Sequence, residues 1–398
     1  MRRVRISRNH MAAVPLAAIA LTAVAPGAAA ADDDPVQLPS IRSVLLSDED
    51  CTKPSTTVAE ARPWTRSALS LTPSWRLSQG QDVLVAVVDT GVDPEAPALA
   101  GRVEAVGDAA EDCAGHGSFA AGLIAAAPQP GTGVAGLAPE ARILAVRGTD
   151  ARGYSTGSSL AEAIRTSADR GAKVIYVARA VLDGRDVLTD AVAYAMDHDA
   201  LVVAPVAPDL APQDEDTGQD DPTARPYFPA FIPQVVSVVD TGPKGGRPEN
   251  APEPFAPDLS APGDGVVSIG PGGTGHFIGS GSSMAAAQVA GSAALVRARY
   301  PELTAAQTAD QLQQTAYPSD VPRLDPYAAL SSVGGPGSGP TDGVRRQEAV
   351  APPKAVSQTP RNRALVLAAG AFVLVALLAA AVVVVPRGRA RRWRASGT

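Results

Sequence analysis

Val83-Leu-Val-Ala-Val-Val-Asp-Thr-Gly91 is a short, β-branched, unbroken apolar run that ends on an acid and a tight-turn pair. Runs of this kind mark strands buried on both faces of a parallel sheet, since a strand with one wet face would alternate. The same pattern recurs at Ile143–Val146, Val174–Val177, Leu201–Ala204 and Val235–Val238. Between these runs lie helical patterns at about 117–127, 158–170 and 186–198, with two more at about 284–299 and 304–315. Thr304 and Gln307 form a capping box for the last one. Strand–helix alternation predicts an α/β domain over residues 76–330, with a mostly parallel sheet flanked by helices. That length is enough to bury one large core.

Moving outward, the two ends predict the compartment. Residues 1–30 carry Arg2, Arg3, Arg5 and Arg8, then an apolar stretch from Met11, and finish on Ala28-Ala29-Ala30. This is the layout of a secretory signal peptide, its apolar core being too short for an anchor helix. Ala364–Val385 is uncharged for 22 residues, 13 of them Leu, Val or Phe. As a helix it would reach roughly 33 Å, enough to cross a bilayer core. Arg387, Arg389, Arg391, Arg392 and Arg394 follow in a basic tail, residues 386–398, which places that side in the cytoplasm. The expected topology is therefore single-pass in the plasma membrane with the main domain outside. A Pro- and charge-rich extension (31–75) precedes that domain, and a Gly/Pro-rich linker (331–363) tethers it to the predicted transmembrane helix (364–385).

Charge excludes one class of partner. Four of the 34 basic residues lie in the first 30 positions and five in the last twelve, leaving 25 against 41 acidic ones. An exported body that acidic repels phosphate backbones, so no nucleic-acid partner is expected. The chain has two cysteines, Cys51 and Cys113. In an exported protein an even pair argues for one disulfide; two free thiols are the other reading.

Three segments carry chemistry: the strand ending at Asp89, Gly115-His116-Gly117-Ser118 opening a helix, and Gly281-Ser282-Ser283-Met284-Ala-Ala-Ala287 opening another. Singly, each reads as a turn, a packed histidine and a loop. Together they supply what acyl transfer requires: a nucleophilic hydroxyl (Ser283), a base (His116), and a carboxylate (Asp89) that fixes the base's tautomer and stabilises its imidazolium.

With these motifs the chain resembles the subtilase family, whose three signatures look like Asp89-Thr-Gly, His116-Gly-Ser and Gly-Ser-Ser283-Met-Ala in the same order. Gly133-Val-Ala-Gly-Leu-Ala-Pro139, Phe228-Pro-Ala-Phe-Ile-Pro233 and Ser260-Ala-Pro-Gly263 are similar to further family segments. The wider layout resembles the mycosins, membrane-anchored subtilases of type VII secretion systems. That resemblance implies a serine endopeptidase with a catalytic triad of Asp89, His116 and Ser283, acting on an exported protein. It also implies association with secretion-complex components, a Cys51–Cys113 disulfide, and an extension that stays bound. No cofactor and no metal are expected, because the acidic loop 209–226 shows no spaced ligand pattern.

Departures from the family define a second reading. Subtilases carry an oxyanion-binding Asn after a central strand, where this chain has Val203-Ala-Pro-Val-Ala-Pro208-Asp209. The Asn position is expected to fall on Pro208, which offers no donor. An ionised Asp209 close by would repel a developing negative charge. Asn250 lies far downstream, and Gln213 is a weak substitute. Val174-Ile-Tyr-Val-Ala-Arg179-Ala180 replaces the Ser-x-Gly substrate edge, so Arg179 and Ala180 stand to narrow or recharge the cleft. Ala287, at the family's Pro, suits a helix. The alternative reading is a catalytically impaired subtilase serving as a structural part of a membrane secretion complex.

Overall fold

The computed structural model describes residues 36–212, 220–248 and 251–332, together with Arg387. The predicted signal peptide, most of the linker, the transmembrane helix 364–385 and nearly all of the basic tail lie outside the described residues, as do Gln213 and Asn250. Among the described residues no helix is long and apolar enough to cross a membrane.

The strands are β1 (Leu84–Asp89), β2 (Val103–Ala105), β3 (Arg142–Arg147), β4 (Val174–Val177), β5 (Leu201–Pro205), β6 (Val236–Thr241), β7 (Leu259–Pro262), β8 (Val266–Ile269) and β9 (His276–Gly279). The helices are α1 (Thr65–Ala68), α2 (Leu71–Ser74), α3 (His116–Ala125), α4 (Gly157–Asp169), α5 (Arg185–Asp197), α6 (Ser282–Arg299), α7 (Ala305–Gln314) and α8 (Pro326–Ser331). β1 to β7 form one sheet in the order β2-β3-β1-β4-β5-β6-β7, every pair parallel, and β8 with β9 forms a separate antiparallel hairpin.

Both faces of the sheet are dry, which is why the strands read as continuous apolar runs. Ala86, Val88, Ile175 and Val202 pack on one face with Leu160 and Ile164 of α4 and Leu188 and Val192 of α5. Val85, Val87, Tyr176 and Val203 pack on the other with Phe119 and Ile124 of α3 and Met284 and Val289 of α6. Helix α6 is buried over 16 of its 18 residues. Its Ala, Gly and Ser side chains let it sit close against the strands, and a helix apolar on all sides belongs in the interior. Ala287 is fully buried there, a helix former in mid-helix. The Thr304–Gln307 capping box forms, with Gln307 N donating to Thr304 Oγ1 (3.2 Å) and Thr304 N to Gln307 Oε1 (2.9 Å).

Backbone hydrogen bonds hold the extension against the domain. Ile41 N donates to Ile278 O (2.9 Å), Leu45 N to Arg152 O (2.9 Å) and His276 N to Thr57 O (2.8 Å). Cys51 and Cys113 are bonded as a disulfide, which pins the extension three residues ahead of His116.

Candidate active site

Strand parity aims the acid. Asp89 shares the face of Val85 and Val87, the face covered by α3 and α6, so β1 delivers its carboxylate toward the starts of those two helices. Asp89 is fully buried; Oδ1 accepts from Thr90 N (2.8 Å) and Oδ2 lies 2.6 Å from His116 Nδ1. Because β1, β4 and β5 are neighbours, the segments after them place Arg179 and Asp209 beside it along the carboxyl edge of the sheet, where ligands of open α/β sheets bind.

His116 is the first residue of α3, and two groups absent from the sequence reading fix that helix start. Asp112 accepts from Gly115 N (2.8 Å) and Ser118 N (2.7 Å), while Thr90 Oγ1 accepts from Gly117 N (3.0 Å) and donates to Asp112 (2.7 Å). These bonds satisfy helix-terminal N–H groups and tie the end of β1 to the start of α3. Burial drives the Asp112 carboxyl above its ordinary value despite those donors. The available signal was an acid placed shortly before a helix without a capping residue of its own, since Gly115 precedes His116. Gly117 is required by proximity, because a Cβ there would lie 1.9 Å from Gly91 O.

Ser283 is the second residue of α6, and its Oγ lies 3.1 Å from His116 Nε2. The structure thus brings Asp89, His116 and Ser283 into one hydrogen-bonded line. It also corrects the expectation for Pro208. The side chain that reaches Ser283 from the segment after β5 is that of Asp209, the next residue along. Its Oδ1 accepts from Ser283 N (2.9 Å) and its Oδ2 from Ser283 Oγ (2.7 Å), with Oδ2 3.4 Å from His116 Nε2. Physically, the unsatisfied N–H groups and positive dipole end of α6 attract a carboxylate and have nothing to gain from a proline. Gly281 makes room, since a Cβ at that position would fall 2.1 Å from Asp209 Oδ1.

Charge is dense and dry here. The side chains of Asp89 and His116 are 0% exposed, Asp209 6% and Arg179 9%. Burial alone would depress the His116 imidazolium, and Arg179 works the same way. The Asp89 charge and the hydrogen bonds to Asp209 and Asp89 outweigh both and push it up to about 9. For Asp209 burial acts upward, but His116, the Ser283 N–H and Arg179 hold the carboxyl below its ordinary value. Arg179 is held on both sides: its Nη2 donates to Ser43 O of the extension and lies 3.6 Å from Asp89 Oδ1. Tyr176, fully buried on the same face, has its hydroxyl pushed well above the ordinary range by burial and by the Asp89 and Asp209 charges.

A cavity of about 420 Å³ opens over the site, lined by Ile41, Ser43, Leu46, Asp209, Ser280 and Met284 among others. A second, of about 250 Å³, lies on the other side of Ser43 and Val44, against Tyr154, Arg179, Ala180 and Asp209. Extension residues 43–44 therefore stand between the two halves of the groove. Among the described residues no group of His, Cys, Asp and Glu is arranged to hold a metal ion.

The family model described as "Subtilase family" (peptidase S8) matches residues 80–344. Mycosin-3 of Mycobacterium tuberculosis is 33% identical over 396 residues, covering 81% of this chain and 84% of that protein. The structure of the MycP3 protease from the type VII (ESX-3) secretion system is 30% identical with a TM-score of 0.61, covering 74% of this chain and 97% of that one. A chain of the periplasmic assembly from the ESX-5 inner membrane complex is 26% identical with a TM-score of 0.62, covering 81% and 95%.

Proposed function

Because the chain belongs to the subtilase family and is of the mycosin type, we propose that it is a serine endopeptidase whose nucleophile is Ser283, base His116 and orienting acid Asp89. The observation that carries this reading is His116 spanning Asp89 and Ser283 at 2.6 and 3.1 Å in a dry site. Asp89 holds the Nδ1–H tautomer, which leaves Nε2 facing the hydroxyl. In its neutral form His116 takes the Ser283 proton as Oγ bonds to the scissile carbonyl carbon, and the carbonyl π electrons move to oxygen. On collapse those electrons return, the C–N bond breaks, and His116 gives the proton to the leaving amine. Water repeats the sequence to release the acyl group. Ala178 N and the backbone of Val181 are taken up by Val88 and Phe228, which leaves the backbone of Arg179 and Ala180 beside the groove for pairing with an extended peptide.

The location follows from three separate features. The proposed signal peptide (1–30) exports the domain, the proposed helix 364–385 anchors it, and the arginine tail stays in the cytoplasm. The likeness to chains of ESX assemblies supports a place beside type VII secretion components, with an exported protein as substrate.

A specific observation supports the second reading, a structural subunit with impaired catalysis. Asp209 places a carboxylate where an oxyanion needs a donor, and residues 43–44 stand in the groove. Treating the full-length protein in detergent with a fluorophosphonate probe, beside Ser283→Ala, separates the two. The peptidase reading expects labelling that the variant abolishes. Equal labelling of both proteins would reject it.

A further inference from the structure

We infer that Asp209 is a fourth catalytic residue, one that shares a single proton with His116 through the Ser283 hydroxyl and, when protonated, donates to the oxyanion. This rests on the triad reading above, and it accounts for a feature that the reading leaves as an obstacle.

The geometry is a two-bond relay. His116 Nε2 lies 3.1 Å from Ser283 Oγ, and Oγ donates to Asp209 Oδ2 at 2.7 Å. At rest the imidazolium donates to Oγ and Oγ–H donates to the carboxylate. Moving each proton across one hydrogen bond makes His116 neutral, leaves the hydroxyl intact with its proton toward Nε2, and converts Asp209 to the acid. No charge leaves the cluster. The competent base and the missing donor arise in the same event.

Charge balance favours one shared proton. The groups facing Asp209 are Asp89 from β1, His116 from α3, Tyr176 of β4 with Arg179 just beyond it, and Ser283 of α6. Two carboxylates and one guanidinium leave one negative charge, which one proton on the His116–Asp209 pair cancels. A buried cluster with net charge is costly, so that proton is held firmly. His116, raised to about 9, and Asp209, held low, place it on the imidazole at rest. A substrate carbonyl oxygen that enters beside Ser283 N displaces Oδ1, and the protonated carboxyl then donates to the charge developing on that oxygen. A carboxylic acid kept neutral in a dry site to act as an oxyanion donor has precedent in ketosteroid isomerase.

The pH profile distinguishes this from an ordinary triad. A histidine base alone gains activity as it loses its proton; a shared proton, once lost, leaves Asp209 ionised against the oxyanion. The second-order rate of fluorophosphonate labelling is measured for the full chain in detergent from pH 5 to 10.5, with circular dichroism following the fold. The wild type is expected to fall about tenfold per pH unit above about 9. Asp209→Asn, whose carboxamide donates at every pH, is expected to keep its rate there. Asp209→Ala is expected to be about 10²–10³ slower near neutrality, the range known for removing such a donor from subtilisin. A wild-type rate that holds through pH 10.5 overturns the inference, and this arm stands even if the variants fail to fold. Parallel profiles for wild type and Asp209→Asn overturn it too. Labelling of Asp209→Asn but not of wild type makes Asp209 a standing block, which overturns the inference and keeps the triad. If wild type, Asp209→Asn and Ser283→Ala all label alike, the triad reading itself has failed.

Discussion

Replacing Gly117 with alanine tests whether the start of α3 sets the reactivity of the site. The added Cβ would lie 1.9 Å from Gly91 O and 3.0 Å from Gly91 C. An ordinary C···O contact is roughly 3.3 Å, so one backbone segment must retreat by about 1.4 Å. Neither has slack. Gly117 N is bonded to Thr90 Oγ1, and Asp112 grips the residues on either side of His116 and Gly117. Relief therefore moves His116 relative to Asp89, two groups now 2.6 Å apart. A displacement of about 1 Å at a reacting group can lower a rate about 10²-fold, and overpacking of this kind typically destabilises by roughly 1–3 kcal/mol. The assay pairs the fluorophosphonate labelling rate with a urea melt on the same preparation. A loss of labelling of about 10²-fold, with a stability loss in that range, is expected. Labelling within threefold of wild type at unchanged stability would refute the claim that this contact positions His116.

Other perturbations follow from the same contacts. Arg179→Leu removes a cation that works against the His116 imidazolium, so the alkaline limb of the labelling profile should move to higher pH; a limb that stays or moves down contradicts this. The same change strips a buried partner from Asp89, with a destabilisation of up to roughly 3–5 kcal/mol in a urea melt. Cys51→Ser opens a link spanning 62 residues, for which loop-closure entropy gives about 4 kcal/mol, read as the difference from the oxidised wild type. Asp199 receives Arg297 Nη2 (2.5 Å), Lys173 Nζ (3.0 Å) and Ala305 N (2.8 Å). Burial opposes them, but together they hold its carboxyl down at about 2. A lowered carboxyl contributes stability present above its ordinary value of 3.8 and lost as the pH falls toward 2. Asp199→Asn should be less stable than wild type near neutral pH, with a shallower decline across that acid window; parallel curves would deny Asp199 this role.

The central strands and long helices were legible because each buries a face or a whole circumference, and burial writes itself into apolar periodicity. Val83–Val88 became β1 and the Ala-rich stretch after Gly281 became α6 for that reason. The elements that escaped notice are short or poorly patterned. β2 is three half-buried residues, α1 and α2 have four residues each, and the β8–β9 hairpin passes through Gly-rich sequence. At the site, the motifs of Asp89, His116 and Ser283 carried their meaning in sequence order. Asp112 and Thr90 did not, because holding a helix start from outside the helix depends on tertiary closure. In sequence, Pro208 reads as the departure and Asp209 as a charge beside it. Which of these adjacent side chains meets Ser283 is set by how the segment after β5 packs against the start of α6, a tertiary contact that the sequence does not display.

The central claim is that Ser283 forms an acyl-enzyme. It is tested most directly by mixing the full-length protein with a p-nitrophenyl ester and measuring the burst of p-nitrophenol, with mass spectrometry of the quenched chain. The account predicts a burst approaching one per chain, with the acyl group on the peptide that holds Ser283, and no burst in Ser283→Ala. No burst in the wild type, or a burst of equal size in Ser283→Ala, would contradict it.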